Sequence, residues 1–227
     1  IDYASGSCID SSGDSGATWT ARPKSAFLAT RGARRDFLGY QGYYANALAV
    51  NPTNASEVIV GGLNVYRFDF SKTGFEDSTV YQSTNNNRSD YTHPDVHVLQ
   101  FDPSGKLYAL TDGGIHVSTD NGKSWKHTLN QSLMTFEFVG GDMAVDASGE
   151  PVYFVAGAQD NGLNRLEKGS KIWRKIHDGD GGRMFVDQTD GQTVYGTYVQ
   201  SNLYLSTDGG STWENSPMGF GDNMLSR

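Results

Sequence analysis

One short run carries ligand types that metal chemistry uses. His93, Asp95 and His97 stand at alternate positions. Extended backbone sends every second side chain to the same side. Two imidazoles and a carboxylate so placed are a donor set that a zinc-like ion accepts. The same run also works as a hydrogen-bonded polar cluster that anchors a loop, and that reading needs no metal or other cofactor. Four further stretches are rich in polar and aromatic groups: 40–46 with Tyr43 and Tyr44, 111–114 with Asp112, 159–162 with Gln159, Asp160 and Asn161, and 177–183 with Asp178, Asp180 and Arg183. Asp, His, Gln and Arg drawn from separate segments make a binding site only if a rigid scaffold brings those segments together. Nucleophile chemistry is poorly provided for. Cys8 is the single cysteine and has no evident His partner, and there is no Ser-nucleophile elbow and no phosphate loop with Lys.

The scaffold is legible as a repeat. S-T-D-N-G-K-S-W at 118–125 recurs as S-G-D-S-G-A-T-W at 12–19 and S-T-D-G-G-S-T-W at 206–213. Decayed copies stand before Phe75 and Trp173, which gives a period of roughly 40–55 residues. Within each period four short strands are expected. They fall at 47–50, 57–60, 65–68 and near 75; at 98–102, 106–110, 115–118 and 125–128; at 143–146, 152–156, 163–166 and 172–176; and at 184–187, 193–197, 203–206 and from 213. Turn sequences such as D-P-S-G separate them. Four antiparallel strands per repeat predict an all-β fold, a β-propeller of four-stranded blades. About four blades are complete, near 44–80, 95–130, 141–177 and 182–216. Partial material lies at 1–22, and 217–227 starts another blade or closes a ring. The chain is expected to be one propeller domain or a fragment of a larger propeller that another chain or segment completes. No stretch predicts a secure helix.

The repeated turn explains its own composition. The carboxylates of Asp14, Asp120 and Asp208 are placed to accept backbone N–H groups a few residues on. Gly supplies a positive φ. Trp19, Trp125 and Trp213 are expected to bury their indoles between blades. These aspartates repeat with the fold, so they are read as structural. An up-and-down blade puts its first–second and third–fourth turns on one rim. The polar stretches above all fall on the other rim, which is the expected ligand surface. Tyr43 and Tyr44 suit stacking on sugar or peptide, or core packing.

Composition excludes some classes. The net charge is −8, which disfavours nucleic acid and anionic membranes as partners. The one basic cluster, Arg31, Arg34 and Arg35, is short. No apolar run approaches membrane-spanning length, so membrane insertion is not expected. Ile1 is not an initiator Met, which leaves room for a removed leader.

The turn resembles the Asp-box, or BNR repeat, of sialidases, xyloglucan-degrading enzymes, sortilin-type receptors and a photosystem assembly factor. The longer run is similar to secreted, mostly bacterial BNR-like propellers over about 41–213. That resemblance rests on Q-G-Y-Y-A-N-A-L-A-V-N-P-T-N (41–54), H-P-D-V-H-V-L-Q-F-D-P (93–103), T-D-G-G-I-H-V-S-T-D-N-G-K-S-W (111–125), G-A-Q-D-N-G (157–162) and G-D-G-G-R (179–183). It implies a secreted or cell-surface propeller, and the polar rim adds the expectation of a non-catalytic module that binds a carbohydrate or protein ligand. Xyloglucan-degrading propellers carry catalytic aspartates in similar T-D-x-G-G and G-D-x-G-G settings. Carried over, Asp112 would be base and Asp180 acid of an inverting hydrolase, although each motif here lacks its intervening residue. A structural part in an extracellular assembly is the third reading. A sialidase is not implied, because its arginine triad and Tyr–Glu pair have no counterpart.

Overall fold

The computed structural model describes residues 8–21, 38, 41–72, 75–77, 79, 88–133, 136–198 and 202–215. The chain forms two compact units, Ile1–Met134 and Thr135–Arg227.

Among the described residues, the first unit holds three sheets. β1 (Asp10–Ser11) and β2 (Thr20–Ala21) make a two-stranded hairpin. β3 (Ala47–Val50), β4 (Glu57–Gly61), β5 (Val65–Asp69) and β6 (Phe75–Asp77) make an antiparallel meander in chain order. β7 (Val96–Phe101), β8 (Leu107–Thr111) and β9 (Gly114–Ser118) form a third sheet. The expected strand at 125–128 shrinks to one bridge, Val117 to Lys126. The cause is local. The N–H of Trp125 leaves the sheet for the Ser89 carbonyl, and Thr128–Ser132 coils into a 3-10 turn. Asn130 in that turn covers the edge instead, since its Oδ1 accepts the Ile115 N–H at 2.7 Å.

In the second unit, β10 (Phe138–Val145), β11 (Pro151–Ala158), β12 (Gly162–Glu167) and β13 (Arg174–His177) form one four-stranded meander. β14 (Met184–Val186), β15 (Val194–Thr197), β16 (Leu203–Ser206) and β17 (Glu214–Asn215) form another. β10 and β11 run longer than their sequence pattern indicated. The fold class is therefore an all-β propeller of antiparallel blades.

Blades pack face to face through small and branched side chains. Ala47, Ala49, Ile59, Val65, Val96, Leu99, Leu107, Ala109 and Trp125 form one core in the first unit, and Ile9, Leu38, Val58, Val60 and Phe68 a second. Ala144, Tyr153, Val155, Leu163, Met184, Val186 and Val194 form the core of the second unit. Approach is close enough to require glycine. A Cβ on Gly61 would meet Val96 Cγ1 at 2.6 Å.

The repeated turns are built alike. In each, the first Ser hydroxyl donates to its Asp Oδ1 at 2.8 Å. The same Oδ1 accepts the N–H of Thr18, Ser124 or Thr212 at 2.8 Å. The hydroxyls of those three residues bind the other carboxylate oxygen. Two successive residues take positive φ: Ser15 and Gly16, Asn121 and Gly122, Gly209 and Gly210. The tryptophans differ. Trp125 is 3% exposed, whereas Trp19 is 64% exposed, so the expectation of a buried indole fails at Trp19. Its hairpin presents no second sheet to cover the ring among the described residues. Trp213 is half-buried against the core of the second unit.

A second clasp repeats at the first–second turns, where sequence showed only turn composition. Asn51, Asp102, Asp146 and Asp187 each accept, through Oδ1, the N–H and hydroxyl of the Ser or Thr two residues on.

Candidate ligand-binding rim

First–second and third–fourth turns share one end of a meander, so the two kinds of clasp mark that end and the second–third turns mark the other. In the first unit that other end gathers three segments. Asp112 lies in the two-residue turn between β8 and β9, with its side chain 17% exposed. Its Oδ2 accepts the Tyr44 hydroxyl at 2.8 Å. Its Oδ1 lies 2.7 Å from His97 Nε2. An ionised carboxylate only accepts, so Nε2 carries the proton. The Tyr44 and His97 rings meet edge to face, with centroids 4.9 Å apart. Tyr44 is 49% exposed and Tyr43 75% exposed, which removes core packing as their role. Each member comes from a different piece of chain: the turn at 41–46, the second residue of β7, and the β8–β9 turn.

His93, Asp95 and His97 do not form the alternate array that the sequence suggested. Asp95 has φ 61, which breaks the extended run. His93 Nδ1 lies 3.1 Å from the Pro94 carbonyl, while His97 turns to Asp112. The His93 ring packs under Gly113, where a Cβ would stand 2.2 Å from its Cγ. The polar-cluster reading describes this run, and no metal is assigned to it.

Below the rim lies a group that sequence reading missed. His116 is 2% exposed, on the face of β9 that also carries buried Gly114 and Ser118. Its Nδ1 lies 2.7 Å from Nδ1 of His127, and its Nε2 accepts the His93 N–H at 3.2 Å. Tyr91 packs edge-on against both rings. Burial, and then the neighbouring His127 and His93, push the His116 pKa down to about 3. The signal available in sequence was faint. I-H-V looks like an apolar strand with a polar residue facing out, whereas here Ile115 and Val117 are the half-exposed pair.

In the second unit the corresponding turns hold Gln159, Asp160, Asn161, Asp178, Asp180 and Arg183. Asp160 has φ 61 and its N–H donates to Asp180 Oδ1 at 3.1 Å. Asn161 Nδ2 donates to the Gln159 carbonyl. Asp178 pairs with Lys175. The exposed Arg183 is held by its backbone, whose N–H donates to Thr197 Oγ1 at 2.7 Å. The glycines of G-D-G-G-R serve packing. A Cβ on Gly181 would stand 2.0 Å from the Gly162 carbonyl oxygen, and one on Gly157 would stand 1.8 Å from that of Gly182. Asp180 thus acts locally as a loop tie.

Comparison with protein families and with curated proteins gives no match. Among solved structures, the chain is similar to a GH74 enzyme of Niastella koreensis, with 19% identity and a TM-score of 0.37, over 92% of this chain and 34% of that one. It is also similar to the GH74 xyloglucanase of Xanthomonas campestris, with 20% identity and a TM-score of 0.28, over 74% and 29%. A third is YCF48 bound to D1 peptide, with 15% identity and a TM-score of 0.37, over 93% and 76%. The chain spans about a third of the Niastella enzyme's length. These proteins are β-propellers. At such identities and scores the functional reading rests on this chain's own residues.

Proposed function

We propose that this chain is a non-catalytic propeller binding module, secreted or surface-exposed, whose ligand is a carbohydrate held on the rim of Tyr43, Tyr44, His97 and Asp112. One observation carries the reading. Asp112 ties Tyr44 and His97 into a fixed cluster from three separate segments, beside two tyrosine rings that stay open to solvent. Tyrosine pairs a broad apolar face with a polar tip, which suits the alternating faces and hydroxyls of a sugar. A positioned carboxylate and imidazole add directional hydrogen bonds at its margin. Both Asp112 oxygens already accept a hydrogen bond, which favours an anchoring role over that of a general base.

The test is a panel of soluble polysaccharides and unfolded polypeptides, scored both for binding and for release of reducing ends. Retention on one polysaccharide class without cleavage is the expected result. Binding of polypeptide alone would replace carbohydrate with a protein partner. Release of reducing sugar, abolished by Asp180→Asn, would replace the binding module with a hydrolase. Recovery of the protein only from cell interiors would overturn its placement outside the cell.

A further inference from the structure

His116 and His127 form a chain of hydrogen bonds that fixes the proton on each ring. The His93 backbone N–H can only donate, so His116 Nε2 is bare and its Nδ1 carries the proton. That proton points at His127 Nδ1, 2.7 Å away, which must then be bare. His127 Nε2 carries the other proton and faces the Arg88 carbonyl at 3.3 Å. The hydrogen bonds thus assign one tautomer to each ring.

Neither ring can gain a proton without breaking a bond. A proton on His116 Nε2 would face the His93 N–H, donor against donor. A proton on His127 Nδ1 would face the N–H of His116. His116 is met by His93 from the segment before β7, by Tyr91, by Thr111 Oγ1 at 3.3 Å, and by His127. Arg88 and Asp90 on the adjoining segment pair with each other.

The pair also sits where release would matter. It holds the segment at 88–93 at both ends, through Arg88 and His93. The His93 ring in turn supports Gly113, the neighbour of Asp112.

We propose that His116 and His127 act as an acid-sensitive latch that fixes the segment at 88–93 beneath the rim while neutral and releases it when either ring is protonated. The burial that depresses the His116 pKa has the same sense, since it opposes charge on that ring. The latch stands whether or not the rim binds carbohydrate, because it is read from the hydrogen bonds alone.

Two measurements test it on the intact chain. Long-range nitrogen–proton spectra at neutral pH should show Nδ1–H on His116 and Nε2–H on His127. The opposite tautomers, or a charged ring, would overturn the proposal without any variant. Amide exchange corrected for intrinsic rate should then be followed from about pH 7 to about pH 4, the range in which histidines titrate. Protection at 88–97 and 126–130 should fall roughly tenfold or more, with β11 in the second unit unchanged. The double variant of His116→Gln with His127→Asn, which leaves neither ring to take up a proton, should remove that step. A step absent from the natural chain, shared equally by β11, or retained in the double variant would contradict the latch.

Discussion

At the residue scale, the same tryptophan letter has unequal weight. Trp125 belongs to a packed core, so Trp125→Ala should cost about 3–5 kcal/mol in urea unfolding. Trp19 is 64% exposed, and Trp19→Ala should cost under about 1 kcal/mol. Equal costs would show that the hairpin at 8–21 packs more tightly than the structure describes. Titration separates two further kinds of residue. Hydrogen bonds from the Thr212 hydroxyl, the Thr212 N–H and the Ser206 hydroxyl hold Asp208 down at about 2, and Asp14 is held at about 2 in the same way by Thr18 and Ser12. Their folded pKa values lie below the ordinary 3.8, so their contribution is present above that value and is lost as pH falls towards 2. His116 works over a higher window. Its folded pKa of about 3 lies below the ordinary 6.5, so the unfolded chain takes up a proton that the fold refuses. Stability should therefore fall from about pH 6.5 towards 3, by an amount on the order of a few kcal/mol. Urea midpoints at stepped pH should show both windows. Asp208→Asn should shrink the lower one, to which Asp14 also contributes, and His116→Gln should flatten the upper one.

At the element scale, glycine positions divide by what lies beside them. Gly157→Ala would drive a methyl group into the Gly182 carbonyl oxygen and should cost more than about 3 kcal/mol. Gly13 has nothing within 4 Å of its missing Cβ, so Gly13→Ala should stay within about 0.5 kcal/mol. Chemical denaturation of the two variants side by side checks both. The strand pattern itself was readable. β3 and β16 stand where alternation and turn letters put them, because each strand is bounded by an Asp, Asn or Gly turn. The fourth strand of the β7–β9 sheet was not readable. Nothing in W-K-H-T announces that Trp125 will bond to Ser89 or that Asn130 will close the edge, since both partners are distant or lie in side chains. β9 was misleading for a related reason. Its polar residues face inward, so its apolar letters pointed the wrong way.

At the scale of the whole molecule, repetition made the fold legible, and non-repetition pointed to the rim. The clasp aspartates recur in each copy with the same bonds, which is why they could be set aside as structure. Asp112, Tyr44 and His97 do not recur, and each was singled out in sequence as a rim residue. Their joining into one cluster was not visible, because it depends on the register of β7 against β8, where a shift near Val98 lies beside His97. The buried histidine pair was likewise hidden by register. We propose that function lies at the end of the blades opposite the clasps. The direct test is calorimetric titration of the polysaccharide retained in the panel into the natural chain, into Tyr43→Ala and His97→Ala, and into Lys123→Ala at the clasp end. The account predicts that each rim variant weakens binding at least about tenfold, or ~1.4 kcal/mol, while Lys123→Ala binds as the natural chain does. Unchanged affinity in both rim variants, or a loss confined to Lys123→Ala, would contradict it.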